Sequence, residues 1–361
     1  MGIAAIHFLA RGAVPAVLCL LAFTAPAGAG SCPELAGRHL TWIVPYTPGG
    51  GFDVEARLVA PHLARAVGAD VMIQNVSGAG GLVGAKAIRD AAPDGTTFGV
   101  VNGSGLVAVA VLGESEADAP TFDRFTVLGR TGTQRHVWMV RQDSPIQTVE
   151  QLIAQGKAGE LTFGATDLGG ASFLSTVLGG WLLGFEPTIV VGYRGSAELR
   201  VAVLRGDVDA MSGSYESATG MLESKELRAL LQLSDEPISE NAVLDGVVPT
   251  GGPDGLVAEL AKAAGQDVDA EIDRASLVAE VTGMGRMIVA PAHLPAAVEE
   301  CLAGAFASVL KDPVVVGEMR TAQRSLEPLS AADAAALAQA TAARAGELRP
   351  QIERALAKVR S

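Results

Sequence analysis

The stretch IVPYTPGGGFDVEAR, from Ile43 to Arg57, joins an apolar, strand-like run to a helical pattern through three consecutive glycines. Backbone N–H groups at the start of a helix have no partner within the helix, and they lie at the positive end of its dipole. Glycine lets a ligand approach that backbone closely, because it carries no side chain. The stretch therefore predicts an anion-binding loop between a strand and a helix. A tight turn without a ligand is the alternative interpretation of the same glycines.

The order of strand, glycine loop and helix recurs along the chain, which is typical of an α/β fold. Strands are predicted at 40–45, 71–76, 96–102, 161–164, 188–191, 208–216, 227–234 and 286–291. Helices are predicted at 52–67, 82–91, 106–112, 173–183, 296–310, 313–325, 331–345 and 352–359. Another helix is predicted to follow residues 192–196 and to end at residue 205. Thr148 is the predicted N-cap of a further helix. The segment 251–284 predicts only irregular or short helical structure.

Two such series predict two lobes that close on a ligand between them. Lobe 1 is expected to comprise residues 38–140 and 285–345, and lobe 2 residues 141–284. Residues 346–361 are expected to form a C-terminal helix. Because strand ends in a parallel sheet share one edge, the glycine loops of each lobe should face the cleft.

The N-terminus is typical of an export signal. Arg11 precedes an apolar run that ends in small residues, with a predicted cleavage site near Ala29, so residues 1–29 are expected to be removed. An uncleaved anchor is the alternative. Cys32 and Cys301 then remain in an oxidising compartment, where they form either a disulfide or two free thiols.

Composition and motifs disfavour several other functions. The formal net charge of −13, from 27 basic and 40 acidic residues, is unfavourable for binding nucleic acid. The stretch GAGGLVGAK has Val83 where a dinucleotide-binding motif needs a third glycine, and it lacks the end of a P-loop. The four histidines that follow the predicted signal peptide, His39, His62, His136 and His293, show no metal-ligand spacing, so each is expected at the surface or in the core. We therefore expect no cofactor, no metal and no enzymatic activity.

Three motifs taken together resemble the periplasmic substrate-binding subunit of tripartite tricarboxylate transporters, the Bug family. They are IVPYTPGGGFDVEAR, IQNVSGAGGLVGAKAI and APDGTTF, and GELTFGATDLGGAS, GYRGSAE and LRGDVDA agree with later parts of the family pattern. The resemblance implies a two-lobed periplasmic binding-protein fold of the Venus-flytrap type, each lobe a mainly parallel sheet flanked by helices. It also implies a periplasmic monomer that captures a small organic acid and delivers it to two integral-membrane subunits.

The resemblance also implies which residues contact the ligand. In lobe 1 they are Tyr46, Thr47, Gly49, Gly50, Gly51, Asp53, Gly78, Ala79, Gly80, Gly81 and Ser104. In lobe 2 they are Thr166, Asp167, Gly170, Ala171, Ser172, Tyr193, Arg194 and Asp209. Asp53 matches an acid of the family pattern, with a cap on the first turn of its helix as the alternative role.

Two departures from the family pattern bear on the ligand. Val76 and Ser77 replace the usual Arg-Pro pair, and Asp167 replaces a small neutral residue. A carboxylate at position 167 either caps its own loop or accepts from a hydroxyl or amine of the ligand. A sensory receptor that passes its ligand to a signalling protein, and a secreted α/β enzyme, are the alternative functions.

Overall fold

A computed structural model describes Met1 and residues 32–112, 119–239 and 241–360. The predicted signal peptide therefore lies, apart from Met1, outside the described residues. Within the part of the chain that is described, no helix combines the length and the hydrophobicity needed to cross a bilayer.

The described residues form two five-stranded sheets, one in each lobe. The strands are β1 (His39–Val44), β2 (Asp70–Asn75), β3 (Thr97–Asn102), β4 (Phe125–Gly132), β5 (His136–Arg141), β6 (Thr162–Ala165), β7 (Thr188–Val191), β8 (Ala210–Ser214), β9 (Leu227–Leu233) and β10 (Arg286–Pro291). The strand order is β2-β1-β3-β10-β4 in lobe 1 and β7-β6-β8-β5-β9 in lobe 2. In each sheet three parallel strands are followed by one antiparallel strand, β10 or β5, which pairs with the last strand. The predicted α/β fold of two lobes is confirmed, with sheets that are mixed rather than purely parallel.

Helices cover both sheets. They are α1 (Gly51–Val67), α2 (Leu82–Arg89), α3 (Gly103–Leu112), α4 (Val149–Ala158), α5 (Ala171–Leu182), α6 (Ser196–Arg205), α7 (Tyr215–Glu223), α8 (Leu256–Ala264), α9 (Val268–Gly283), α10 (Ala296–Val309), α11 (Pro313–Thr321), α12 (Ala331–Ala345) and α13 (Arg349–Arg360). Short 3-10 turns interrupt the loops, including one at Ala79–Gly81.

The chain crosses between the lobes twice. It leaves β4 of lobe 1 and enters β5 of lobe 2 through residues 133–135, and it returns through Gly285 into β10. The expected boundary at 140/141 placed β5 in lobe 1, but β5 pairs with β8 and β9 of the second sheet. The first crossing therefore lies several residues earlier than the sequence indicated.

One hydrophobic core joins the two lobes behind the cleft. It includes Ile88 and Leu106 of lobe 1, Phe173 and Leu178 of lobe 2, and Val278 of α9, all of which are buried. The C-terminal helix α13 packs on α5 and α3, so it connects the lobes rather than extending from one of them. Separate cores lie on the outer faces of the sheets.

The segment 251–284 differs most from expectation, because it contains α8 and the 16-residue helix α9. Asp267 caps α9 by accepting a hydrogen bond from the backbone N–H of Ala270. The structure also decides between the two alternatives for the cysteines. Cys32 and Cys301 form a disulfide, with 5.7 Å between their Cα atoms, that ties the N-terminal segment to α10.

Candidate functional site

A cavity of about 380 Å³ lies between the lobes, where the glycine loops of both sheets meet. Thirteen of the predicted contact residues line it. They are Tyr46, Thr47, Gly50, Gly51, Gly78, Ala79, Gly80, Gly81, Thr166, Asp167, Ala171, Ser172 and Arg194. The loops that the sequence identified therefore converge on one space, although they are separated by up to about 150 positions along the chain.

Among the described residues, five helices begin at this cavity without a hydrogen bond to a side-chain cap: α1, α2, α5, α6 and α7. The N-caps of α1, α5 and α6 are Gly50, Gly170 and Gly195, and none has a side chain that could accept from the first-turn N–H groups. Away from the cavity, α4, α9, α11 and α12 are each capped by a side chain, from Thr148, Asp267, Asp312 or Ser330. The helices α8 and α10 also begin without such a cap. Uncapped N–H groups that face a cavity are ready donors for an anion.

Asp53 holds the first glycine loop in place from behind. Its Oδ2 accepts from the N–H of Gly49 at 2.8 Å, and its Oδ1 accepts from Nδ2 of Asn75 at 2.9 Å. Arg57 pairs with the same carboxylate at 2.9 Å. Burial raises the pKa of Asp53, but these hydrogen bonds outweigh burial and leave the pKa below its ordinary value. Asp53 is therefore a structural residue of the loop, as in the alternative of a first-turn cap, and it does not line the cavity.

The second glycine loop has a backbone that favours glycine. Gly80 has φ 66° and Gly81 has φ 95°, both in the region that other residues avoid. The hydroxyl of Tyr46 donates to the carbonyl of Gly80 at 3.0 Å, and Asn102 donates to that hydroxyl at 3.2 Å. Burial, and then the negative charge of Asp167, raise the pKa of Tyr46, so the phenol stays protonated as a donor.

Asp167 of lobe 2 touches lobe 1. A Cβ atom built on Gly80 would lie 2.8 Å from Cγ of Asp167, so the carboxylate rests directly on the glycine backbone. Oδ2 of Asp167 accepts from the hydroxyl of Thr166 at 2.8 Å, and the backbone N–H of Gly170 also lies near the carboxylate, although Oδ1 has no hydrogen bond of good geometry among the described residues. Burial raises the pKa of Asp167. The residue thus caps its own loop and also closes the cleft against Gly80.

Two ionisable residues at the base of the cavity were missed by the sequence interpretation. His136 begins β5 and Arg286 begins β10, so each lies where the chain crosses between lobes. His136 is buried; its Nδ1 lies 3.2 Å from Oγ of Ser175, and its Nε2 has no partner among the described residues. Burial, and then the charge of Arg286, lower the pKa of His136 to about 4, so the ring is neutral at pH 7. Both lie within strands, and no local motif marks them.

Further polar groups on the cavity wall were also not predicted. They are Ser77, Asn102, Gln134, Ser196, Ser212, Ser214 and Ser217. Most of them are short hydroxyl or amide side chains at strand ends or helix starts. Together with the helix N-termini, they make the wall rich in neutral hydrogen-bond donors.

The other predicted contact residues do not line the cavity. Ser104 is buried and donates to the carbonyl of Thr282 at 3.0 Å. Asp209 accepts from the N–H of Thr162 at 2.8 Å, and Tyr193 packs against a core of lobe 2. Gly49 and Gly170 support the loops next to the cavity. None of these five positions lies on the cavity wall.

A cleft between two lobes, with uncapped helix starts on both sides, is an architecture typical of periplasmic solute-binding proteins. The profile of the family described as "Tripartite tricarboxylate transporter family receptor" matches residues 55–253. The chain therefore belongs to this family. BugT of Bordetella pertussis is 29% identical over 232 residues, which are 64% of this chain and 70% of BugT. A UPF0065 protein from the tcbD–tcbE intergenic region of Pseudomonas sp. (strain P51) is 29% identical over 62% of this chain and 66% of its own length.

Solved structures share the fold. MatC from Rhodopseudomonas palustris with bound malate has a TM-score of 0.67 at 23% identity, covering 86% of this chain and 99% of MatC. The periplasmic binding protein BugD has a TM-score of 0.69 at 20% identity, covering 88% of this chain and 98% of BugD. A Rhodopseudomonas palustris protein with adipate has a TM-score of 0.67 at 23% identity, covering 88% and 97% of the two chains.

Proposed function

We propose that this protein captures a small organic acid in the cavity between its lobes and delivers it to a tripartite tricarboxylate-type transporter. The observation that carries the proposal is the group of uncapped helix starts, at Gly50, Gly170 and Gly195, around a cavity that both lobes enclose. A helix N-terminus stabilises an anion by about 0.3–1 kcal/mol when exposed and by up to about 2 kcal/mol when partly buried. Because each contribution is this small, tight binding needs several such groups around one ligand, and this cavity has them.

The size of the cavity supports a small ligand. A volume of about 380 Å³ lies at the lower end of the range for ligand pockets, about 300–1,000 Å³. Malate in MatC and adipate in the second Rhodopseudomonas palustris protein are acids of suitable size. By analogy with these proteins, the ligand is a mono- or dicarboxylate with a short carbon chain.

The proposal includes export and a membrane partner. The basic start, the apolar run and the predicted cleavage site near Ala29 support a periplasmic location, and the family supports docking of the monomer with two integral-membrane subunits. The genes for two such subunits beside this gene would support transport. A signalling gene in their place would support the sensory alternative.

Binding is tested by calorimetry on the protein that begins at residue 30, with malate, succinate, glutarate, adipate and citrate as probes. Succinamide and 1,4-butanediol are the uncharged controls. At least one acid should bind, and at about 100 times its Kd it should stabilise the protein by about 2.7 kcal/mol, whereas the controls should not bind. A folded protein that binds none of the acids, or that binds the uncharged controls equally well, would overturn the proposal.

A further inference from the structure

The first crossing between the lobes brings two polar side chains to the cavity wall. His136 begins β5 and Gln134 lies two positions before it, and both line the cavity. Among the described residues, Nε2 of His136 and Oε1 of Gln134 have no hydrogen-bond partner, and both atoms are buried. A buried polar atom that stays unpaired is costly, so such atoms normally have a partner. The bound ligand is placed to supply one.

The hydroxyl groups behind His136 indicate which of its ring nitrogens carries the proton. Oγ of Ser175 donates to the carbonyl of Ala171 at 2.6 Å, and a hydroxyl has only one proton to donate. It therefore accepts from Nδ1 of His136, which lies 3.2 Å away, within the range of an N–H···O hydrogen bond. Oγ of Ser212 lies 3.4 Å from Nδ1, beyond that range. Nδ1 thus holds the proton of the neutral ring, and Nε2 is an acceptor.

The surroundings of His136 favour an uncharged donor on the ligand. Burial, and then the charge of Arg286, lower the pKa of His136 to about 4, so the ring stays neutral at pH 7. Arg286 also lines the cavity, and an ammonium group placed against Nε2 would be repelled by its guanidinium. A hydroxyl group donates a hydrogen bond without carrying a charge, so it avoids this repulsion.

We infer that His136 and Gln134 form a subsite that accepts a hydrogen bond from a hydroxyl group of the bound acid. The inference rests on the proposed function and narrows its ligand class from carboxylic acids in general to hydroxy acids. Neither residue belongs to the glycine loops, so the loops hold the acid while the crossing selects among acids. A plain acid leaves both acceptors buried and unpaired, and sites built to bind a hydroxyl reject analogues that lack it.

Calorimetry with acids that differ by one hydroxyl group tests the subsite. The pairs are malate and succinate, 2-hydroxyglutarate and glutarate, and citrate and tricarballylate. In at least one pair the hydroxy acid should bind about 5- to 150-fold more tightly, which is the cost of leaving a buried acceptor unpaired. Aspartate, with an ammonium group in place of the hydroxyl, should bind more weakly than malate. Plain acids that bind as tightly as the hydroxy acids in every pair, or aspartate binding more tightly than malate, would overturn the inference.

Variants at the crossing assign the preference to these residues. His136→Asn removes Nε2 but keeps an amide near the position of Nδ1, so it should weaken binding of the preferred hydroxy acid about 5- to 150-fold and binding of its plain partner little. His136→Gln places an amide near the position of Nε2 and should restore part of the preference. Gln134→Ala should also reduce the preference, and because Gln134 is only half-buried, this variant carries the test if His136→Asn is unstable. His62→Asn is the matched control, since both ring nitrogens of His62 have partners and it does not line the cavity.

Nitrogen NMR of protein with isotope-labelled histidine reads the tautomer directly. In the ligand-free wild type, Nδ1 of His136 should be protonated and Nε2 should not. The preferred hydroxy acid should shift the Nε2 resonance, whereas its plain partner should leave it in place; a proton on Nε2 would overturn the inference. If no acid of any pair binds the wild type, the proposed function fails. If acids bind but the preference for the hydroxy acid survives in both His136→Asn and Gln134→Ala, only the subsite is overturned.

Discussion

Replacing Gly80 with alanine should weaken ligand binding by keeping the cleft from closing. The new methyl group would lie 2.8 Å from Cγ of Asp167 on the opposite lobe, whereas an ordinary contact needs at least about 3.4 Å. We expect the lobes to separate when no ligand is bound, as hinged two-lobed binding proteins do, so the clash should fall on the bound form. Overpacking typically costs about 1–3 kcal/mol, which corresponds to a loss of affinity of about 5- to 150-fold.

Backbone strain at Gly80 needs its own control, because φ is 66° there and a side chain in that conformation costs about 1–2 kcal/mol. Gly265 also has φ 66°, and a Cβ atom built on it has no neighbour within 4 Å. Gly265→Ala should therefore show the strain in its unfolding free energy but bind normally. Adding Asp167→Ala to Gly80→Ala removes the opposing carboxylate and should restore much of the affinity. The reasoning fails if Gly80→Ala binds like wild type in calorimetry, or if Gly265→Ala loses as much affinity.

Three further outcomes follow from buried or cross-linked groups. The pKa of His136 is about 4 in the folded protein, against an ordinary 6.5. Because the unfolded chain binds the proton more readily, the free energy of unfolding falls as the pH drops from 6.5 to 4, by about 3 kcal/mol in total. Urea unfolding at pH 7 and pH 4.5 should show a smaller acid loss for His136→Asn, and equal losses would contradict this. The disulfide spans 269 positions, so replacing Cys32 and Cys301 by serine should lower the free energy of unfolding by about 2–5 kcal/mol. The affinity should change little, because the disulfide does not line the cavity. Equal melting temperatures of the variant and the wild type would contradict this prediction. Asp53→Asn should lower the unfolding free energy by about 1–3 kcal/mol through weakened hydrogen bonds to Gly49 and Arg57, and an unchanged unfolding midpoint would remove Asp53 from its structural role.

The loops of the site could be predicted because their signals are local. Three glycines after a strand, as at 49–51, predict an anion-binding helix start without any knowledge of the rest of the chain. The periodicity of α1 and the strands around it is likewise contained in short windows. The same holds for the cap of α4, where Thr148 accepts from the N–H of Gln151 as expected.

The base of the cavity could not be predicted, because it depends on contacts between distant segments. Arg286 and His136 are 150 positions apart and meet only because both crossings lie behind the cleft. The strands β4 and β5 were not predicted, and the crossing between them was therefore placed too late. Helix α9 was missed because its first turns are polar and its apolar face is narrow, whereas packing on α5 and α12 buries that face.

Asp167 shows how a family pattern can be informative and incomplete. The pattern located the loop correctly and marked the acid as a departure. Only the structure places the carboxylate against Gly80 and leaves Oδ1 without a hydrogen bond of good geometry among the described residues. The sequence offered two roles for this carboxylate, to cap its own loop or to accept from a donor on the ligand. The structure shows the hydrogen bond within the loop and adds a contact with Gly80 of lobe 1.

A crystal structure with the tightest-binding acid tests the central claim most directly. The account predicts the ligand enclosed between the lobes, with a carboxylate within about 3 Å of the first-turn N–H groups of at least one uncapped helix start, and with Gly80 still in contact with Asp167. A ligand bound outside the cleft, or one whose carboxylate contacts none of the uncapped helix starts, would contradict it.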